Sequence, residues 1–205
     1  MVVLHAQQDE GVIFFESRLD VHRILTGNDT CLRSLIPEYQ IFHSKLFFKK
    51  GESLYRSKKQ SGGSKILPVN RTEAVTYTNF TTGRRYRQIE KKYLIEEEIC
   101  APGWILSDET QTILGYSCRL AVLHDVVLYG NPMILKAWFT GELPHGMGPM
   151  LYGQLPGTIL KLDLDEGTNI YTATEIKFRK VKKKEMKPPG EGKKMTLEEY
   201  NAMFR

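Results

Sequence analysis

The segment Leu160-Lys161-Leu162-Asp163-Leu164-Asp165 alternates apolar and charged side chains with a strict period of two, and Glu175-Ile176-Lys177-Phe178-Arg179 repeats the pattern. Successive side chains of a strand point to opposite faces, so this period sorts leucines to one side and charges to the other. A helix would scatter the same residues around its circumference. The chain must therefore bury one face of a sheet there and leave the other in water.

The same type of signal recurs along the chain. Strands are expected over residues 11–16, 39–50, 53–56, 74–80, 84–89, 118–123 and 134–139. Thr81-Thr82-Gly83 and Tyr129-Gly130-Asn131-Pro132 supply hairpin turns between neighbouring pairs. The Gly-containing stretch 57–65 reads as a flexible loop. Asn28-Asp29-Thr30 can cap a brief helix through Leu32 and Leu35. At the other end Thr196-Leu197-Glu198-Glu199 is a capping box, with Met195 and Tyr200 placed for a hydrophobic staple. Many strands with short turns predict a mainly β domain: a curved antiparallel sheet, or bowl-like half-barrel, with a short N-terminal and a C-terminal helix. A sandwich is the alternative. Residues 7–187 form the single β domain, and residues 188–205 are a linker and helix packed on or beside it.

The 205 residues carry a net charge of +5. Nine basic and two acidic residues lie between Lys177 and Lys194, so that segment holds +7 and the remainder −2. The excess belongs to one tail, part of it the wet face of a strand, and it lacks the aromatic platforms of a nucleic-acid binder. No apolar run is long enough to span a membrane as a helix. Residues 1–6, with Leu4-His5-Ala6 before Gln7, read as the end of a signal peptide or as a ragged start. Cys31, Cys100 and Cys118 suit either a reduced protein or one with a single disulfide. Cys100–Cys118 is the favoured pair, since both flank strand-like segments across a turn-rich stretch; such a loop adds about 3 kcal/mol.

The candidate chemistry is sparse, and no catalytic set or cofactor site emerges. His124 and Asp125 are neighbours in a strand and point apart, and Cys118 is too far along it to meet His124. His145, Met147 and Met150 are soft ligands in a Gly/Pro loop, suited to Cu(I), although methionine is also a common core filler. Dispersed carboxylates at Asp108, Glu142 and Asp163 are the acids a hydrolase would need to gather. Leu155-Pro156-Gly157-Thr158 has the residues of a type II turn, with proline at the second position and glycine at the third. Trp138, Phe139, Leu151, Tyr152 and Leu155 can close the core around that corner. Trp138, Tyr152 and Leu155 are also the candidates for ligand contact.

In order along the chain, Ile36-Pro37-Glu38-Tyr39, Glu52-Ser53-Leu54-Tyr55, Ile113-Leu114-Gly115-Tyr116-Ser117-Cys118, Ala137-Trp138-Phe139-Thr140, Glu142-Leu143-Pro144 and Gly148-Pro149 precede Gly153-Gln154-Leu155-Pro156-Gly157-Thr158-Ile159-Leu160. This ordered set resembles the GLPGLI family of exported Bacteroidota proteins, described also under a Porphyromonas gingivalis heading. Gly115, Tyr116, Cys118, Gly153, Leu155, Pro156 and Gly157 carry the motif; Gln154 and Thr158 depart from it. The resemblance implies a cleaved signal peptide and a periplasmic or secreted location in a Gram-negative bacterium. It is also similar to the bowl-shaped N-terminal domain of one type of peptide-N-glycanase. The function so implied is a non-enzymatic binding or accessory domain whose partner is a peptide, a glycan, a lipid or an envelope protein. An envelope hydrolase and a copper-handling protein are the alternatives.

Overall fold

The computed structural model of the chain describes residues 9–26, 30–63, 68–100, 102–128 and 131–203. Fourteen strands follow in order: β1 (Glu10–Asp20), β2 (Tyr39–Lys49), β3 (Glu52–Ser57), β4 (Gln60–Gly63), β5 (Pro68–Arg71), β6 (Ala74–Asn79), β7 (Arg84–Ile89), β8 (Tyr93–Glu98), β9 (Ile105–Ile113), β10 (Tyr116–Leu128), β11 (Asn131–Thr140), β12 (Thr158–Leu164), β13 (Asn169–Phe178) and β14 (Lys193–Met195). Helix α1 (Thr30–Leu35) lies between β1 and β2, preceded by a π-helical turn at His22–Thr26, and α2 (Leu197–Ala202) follows β14. The expected leader remnant at residues 1–6 lies outside the described residues, as do Asn28, Asp29, Tyr129 and Gly130.

Twelve strands make one open sheet in the order β14-β8-β7-β6-β3-β2-β1-β13-β12-β11-β10-β9. Laid flat, it would be about 50 Å wide at roughly 4.8 Å per strand. Yet Ile13, Leu46 and Tyr55 of β1–β3 share one buried cluster with Ile113 and Cys118 from the β9–β10 edge. The cluster continues through β11, β12 and β13 between them, as it does when a sheet curls around one buried face. The expected curved, half-closed sheet is the architecture found.

Cross-strand register shows how the two halves of the concave face differ. One row runs Ile176, Ile13, Leu46, Tyr55, Thr76, Arg87, Ile95; the next runs Phe178, Gly11, Phe48, Ser53, Thr78, Arg85, Glu97. Both rows are apolar as far as β2 and become mainly polar beyond it, with Tyr55 and Ile95 the apolar exceptions. The opposite face reverses this, because Val12, Phe47, Leu54, Val75 and Tyr77 form a second apolar cluster with Val181 and Met186. The N-terminal half of the sheet thus buries both of its faces.

Val181 and Met186 belong to the lysine-rich segment after β13, which straps the convex face. Glu10 Oε2 accepts from the Val181 amide at 3.0 Å, Arg179 grips Glu185 through two hydrogen bonds of 2.8 and 2.9 Å, and Gln88 Oε1 accepts from Glu191 N at 3.0 Å. The strap then pairs β14 in parallel with β8. The hydrogen bonds from Arg179 and the Lys182 amide hold the Glu185 carboxyl down at about 2, from 4.5. A lowered acid pKa contributes stability above the ordinary value and loses it as pH falls toward the folded value. Arg179→Gln is therefore expected to speed Val181 amide exchange above about pH 4.5, with the difference from the parent gone near pH 2. An equal difference at both ends of that window would rule out this role for the ion pair.

Two local expectations are corrected. The stretch read as a loop contains β4, which pairs with β5 in a separate two-stranded ribbon. Strands β8, β9 and β14 were not foreseen, since their residues lack a clean alternation. The capping box does form, with Thr196 Oγ1 accepting from Glu199 N at 3.2 Å and Glu199 Oε2 from Thr196 N at 2.8 Å.

Candidate functional site on the concave face

Residues 141–157, between β11 and β12, cross the concave face. Their course is set by glycines packed backbone to backbone. The position a Cβ would take on Gly153 is filled by the Gly146 carbonyl, and on Gly157 by the Thr140 carbonyl. The Gly146 amide donates to both Leu155 O and Gly157 O, each at 3.0 Å, and Gly146 O accepts from Gln154 N at 3.0 Å. The expected type II turn is not formed. Gly157 does not have positive φ, and its amide donates to Leu155 O at 2.7 Å, closing a three-residue γ-turn around Pro156. Glycine is needed here for close approach and not for a left-handed backbone. Thr158, where the chain departs from the motif, is fully buried and donates its hydroxyl to Pro144 O at 2.5 Å.

The corner has a partner the motif did not reveal. Trp104, ahead of β9, donates its indole N–H to Gly153 O at 2.9 Å and packs on the core. On the other side the loop faces the polar half of the sheet. Between them is a small polar pocket of about 10 Å³, enough for roughly one water-sized group. Ser53, Tyr55, Thr78 and Arg85 form its floor, with Tyr152 and Gln154 above. Met150 and Gln154, on either side of Tyr152, both have left-handed backbone, with φ of 60° and 61°. Non-glycine residues held there store strain, and such strain clusters at binding sites.

The floor contains charge. Arg85 is 6% exposed and donates Nη1 to Glu97 Oε1 at 3.3 Å; Arg87 Nε lies 3.9 Å from the same oxygen. Among the described residues, Glu97 is the sole acid within 4.0 Å of either guanidinium. The Nε atoms of both arginines and the hydroxyl of Tyr55 are buried without a hydrogen-bond partner in the protein. Burial pushes the Arg85 guanidinium below its ordinary range, opposed by Glu97, and pushes the Tyr55 phenol up, so Tyr55 stays a neutral donor.

Sequence candidates are only partly assembled. Tyr152 and Leu155 are buried together with the corner, and Tyr152 lines the pocket. Trp138 pairs across the strands with Lys161, whose ammonium stands 4.6 Å from the ring centroid, while its neighbours Ala137 and Phe139 point into the core. Trp138 is partly buried against the core cluster that holds Tyr152 but does not line the pocket. His145 is exposed, Met147 is buried in the core at 2%, and Met150 lines the pocket, so the three soft ligands do not converge. Among the described residues no three His, Cys, Asp or Glu side chains gather as a metal site. Asp108 pairs with Arg119 at 3.1 Å, Glu142 accepts from Ser117 N at 3.3 Å, and Asp163 accepts from Gly167 N at 2.6 Å. Each acid is engaged locally, and none lines the pocket. Tyr116 packs against the core, and Gly115 takes φ of 85° in the β9–β10 turn.

The Cys100–Cys118 bridge is also corrected. Cys100 is exposed, Cys118 is buried on β10, and both are free thiols with no disulfide between them. Burial pushes the Cys118 thiol up to about 11. Iodoacetamide at pH 8 is expected to modify Cys100 in the native protein and Cys118 only after denaturation, read by peptide mass spectrometry. Native labelling of Cys118 at the rate of Cys100 would contradict its placement.

Arg85, Arg87 and Glu97 escaped sequence reasoning altogether. Arg84-Arg85-Tyr86-Arg87 reads as a wet strand, and only the register shows that Arg85 and Arg87 face inward. The period-two spacing of the two arginines was the one available signal.

No helix of the described residues is long and apolar enough to cross a membrane. No family model and no curated protein matches the chain by sequence. Among solved structures the fold is similar to that of PNGF-II, a peptide-N-glycanase, in two crystal forms. In space group P21 the TM-score is 0.62 at 15% identity, covering 96% of this chain and 33% of that one; in C2 it is 0.62 at 16%, covering 95% and 32%. The chain thus spans about a third of the length of PNGF-II and shares its fold over that part.

Proposed function

We propose that this chain is an exported accessory domain of the GLPGLI type that binds a glycan or a peptide on the concave face of its sheet. The observation that carries the reading is the polar floor of β3, β6 and β7: buried Arg85, its Nε–H without a protein partner, lines a pocket edged by a strained loop. A buried polar atom left unpaired costs about 1–3 kcal/mol, so a fold that keeps one on a charged side chain beside a pocket supports a ligand there. The likeness to part of PNGF-II supports the choice of glycan or peptide. Aromatic Tyr152 above hydroxyl-bearing Ser53 and Thr78 is the mix of apolar surface and directed polar groups that such ligands engage.

Titrating isotopically labelled protein with an N-glycosylated peptide is expected to shift the backbone signals of Thr76, Thr78, Arg85 and Tyr152. Unmoved signals at millimolar ligand, or movement confined to the convex face, would defeat the reading. Export is tested separately: the native gene product is expected in the periplasmic or extracellular fraction, and cytoplasmic retention would reject it.

A further inference from the structure

We infer that the Arg85 pocket is a carboxylate socket, and that the ligand of the concave face carries an acidic group. This inference rests on the concave-face reading above and names the chemistry it selects. Arg85, Glu97 and Arg87 form a buried triad with two positive charges and one negative. The triad therefore holds one uncompensated positive charge in a region where an unpaired charge is costly. The hydroxyl-bearing Ser53, Thr76 and Thr78 line the pocket and add donors but no charge.

The state of Arg85 itself points to a ligand. Arg85 is more than nine-tenths buried, lines the pocket, and has its Nε–H without a protein acceptor. A group that satisfies Arg85 must accept hydrogen bonds and carry a single negative charge. Guanidinium and carboxylate match in planarity and spacing, which makes their hydrogen bonds short, directional and strong. The size of the pocket, about 10 Å³, admits one oxygen of a carboxylate and leaves the remainder of the ligand outside, under Tyr152. A carboxylate balances the single positive charge of the triad, whereas a phosphate dianion would overcompensate it.

The acidic group has two sources, an acidic sugar or a Glu/Asp side chain of a peptide, and the experiment separates them. Sialyllactose is compared with lactose, and an acetylated Gly-Glu-Gly amide with its Gly-Gln-Gly counterpart, against the full chain by calorimetry. The side-chain Nε–H resonance of Arg85 is followed by NMR in parallel. At least one acidic probe is expected to bind ten-fold or more tightly than its neutral match and to shift the Arg85 resonance. Arg85→Gln, which leaves Arg87 beside Glu97, is expected to reduce the preference below two-fold. Arg85→Lys keeps the charge without the planar fork and is expected to lose most of it; thermal melts of both variants verify folding. If either fails to fold, the Arg85 resonance of the parent decides alone.

Equal binding of acidic and neutral probes at the concave face overturns the socket while leaving the proposed function intact. Absence of any binding, including the N-glycosylated peptide, overturns both. An Arg85 Nε–H that responds to no probe and exchanges magnetisation only with water shows that a bound water completes the triad, and the inference falls.

Discussion

Gly157→Ala is expected to lower the stability of the protein by about 3 kcal/mol, enough to leave much of it unfolded at physiological temperature. The cause is steric. The new methyl would occupy the space of the Thr140 carbonyl, with Gly141 N only 3.0 Å away, so backbone must move on both sides. Proteins resist such overpacking because their interiors are already close-packed. A matched control exists at Gly83, which has φ of 66° and no atom within 4 Å of its would-be Cβ. Gly83→Ala therefore meets only the conformational penalty of a left-handed backbone, about 1 kcal/mol. Urea unfolding with unchanged slope measures both. Equal losses at the two sites would mean that the loop yields and that the corner is not a backbone lock.

The second large effect concerns the buried triad. Glu97→Leu removes the common partner of Arg85 and Arg87, whose side chains are 8% and 14% exposed, and is expected to cost about 4 kcal/mol. Replacing all three, as Arg85→Met/Arg87→Met/Glu97→Leu, strands no charge and is expected to return stability to within about 1 kcal/mol of the parent. The reason is that taking three charges out of water costs roughly what their mutual attraction returns. Recovery of stability together with loss of ligand binding would separate a functional triad from a structural one. A triple variant as unstable as the single one would show that the packing around these residues, and not their charge, holds this half of the sheet.

What was legible locally was legible for a physical reason. The alternation at Leu160–Leu164 appears as β12, whose odd and even residues fall on opposite faces. The hairpin of β6 and β7 and the capping box of α2 came through as well, because each is encoded within a few residues. The motif corner was located correctly but given the wrong mechanism. Pro-Gly chemistry suggests a type II turn, whereas the glycine is required by a carbonyl from Thr140, seventeen positions earlier and invisible to local reasoning. The candidate site was missed for a related reason. Arg85 and Arg87 look like solvent-facing residues of a strand until register places them inward, opposite Thr78 and Thr76.

From the sequence alone come the strand segments with clear period-two patterning, their hairpins, the sheet class and the C-terminal cap; all depend on interactions that span few residues. The curl of the sheet belongs to tertiary structure, as do the polar half of its concave face, the unbridged cysteines, the convex strap and the parallel docking of β14. These depend on which distant strand becomes a neighbour. Burial, in turn, decides whether an arginine is a wet surface residue or a charge in need of a partner.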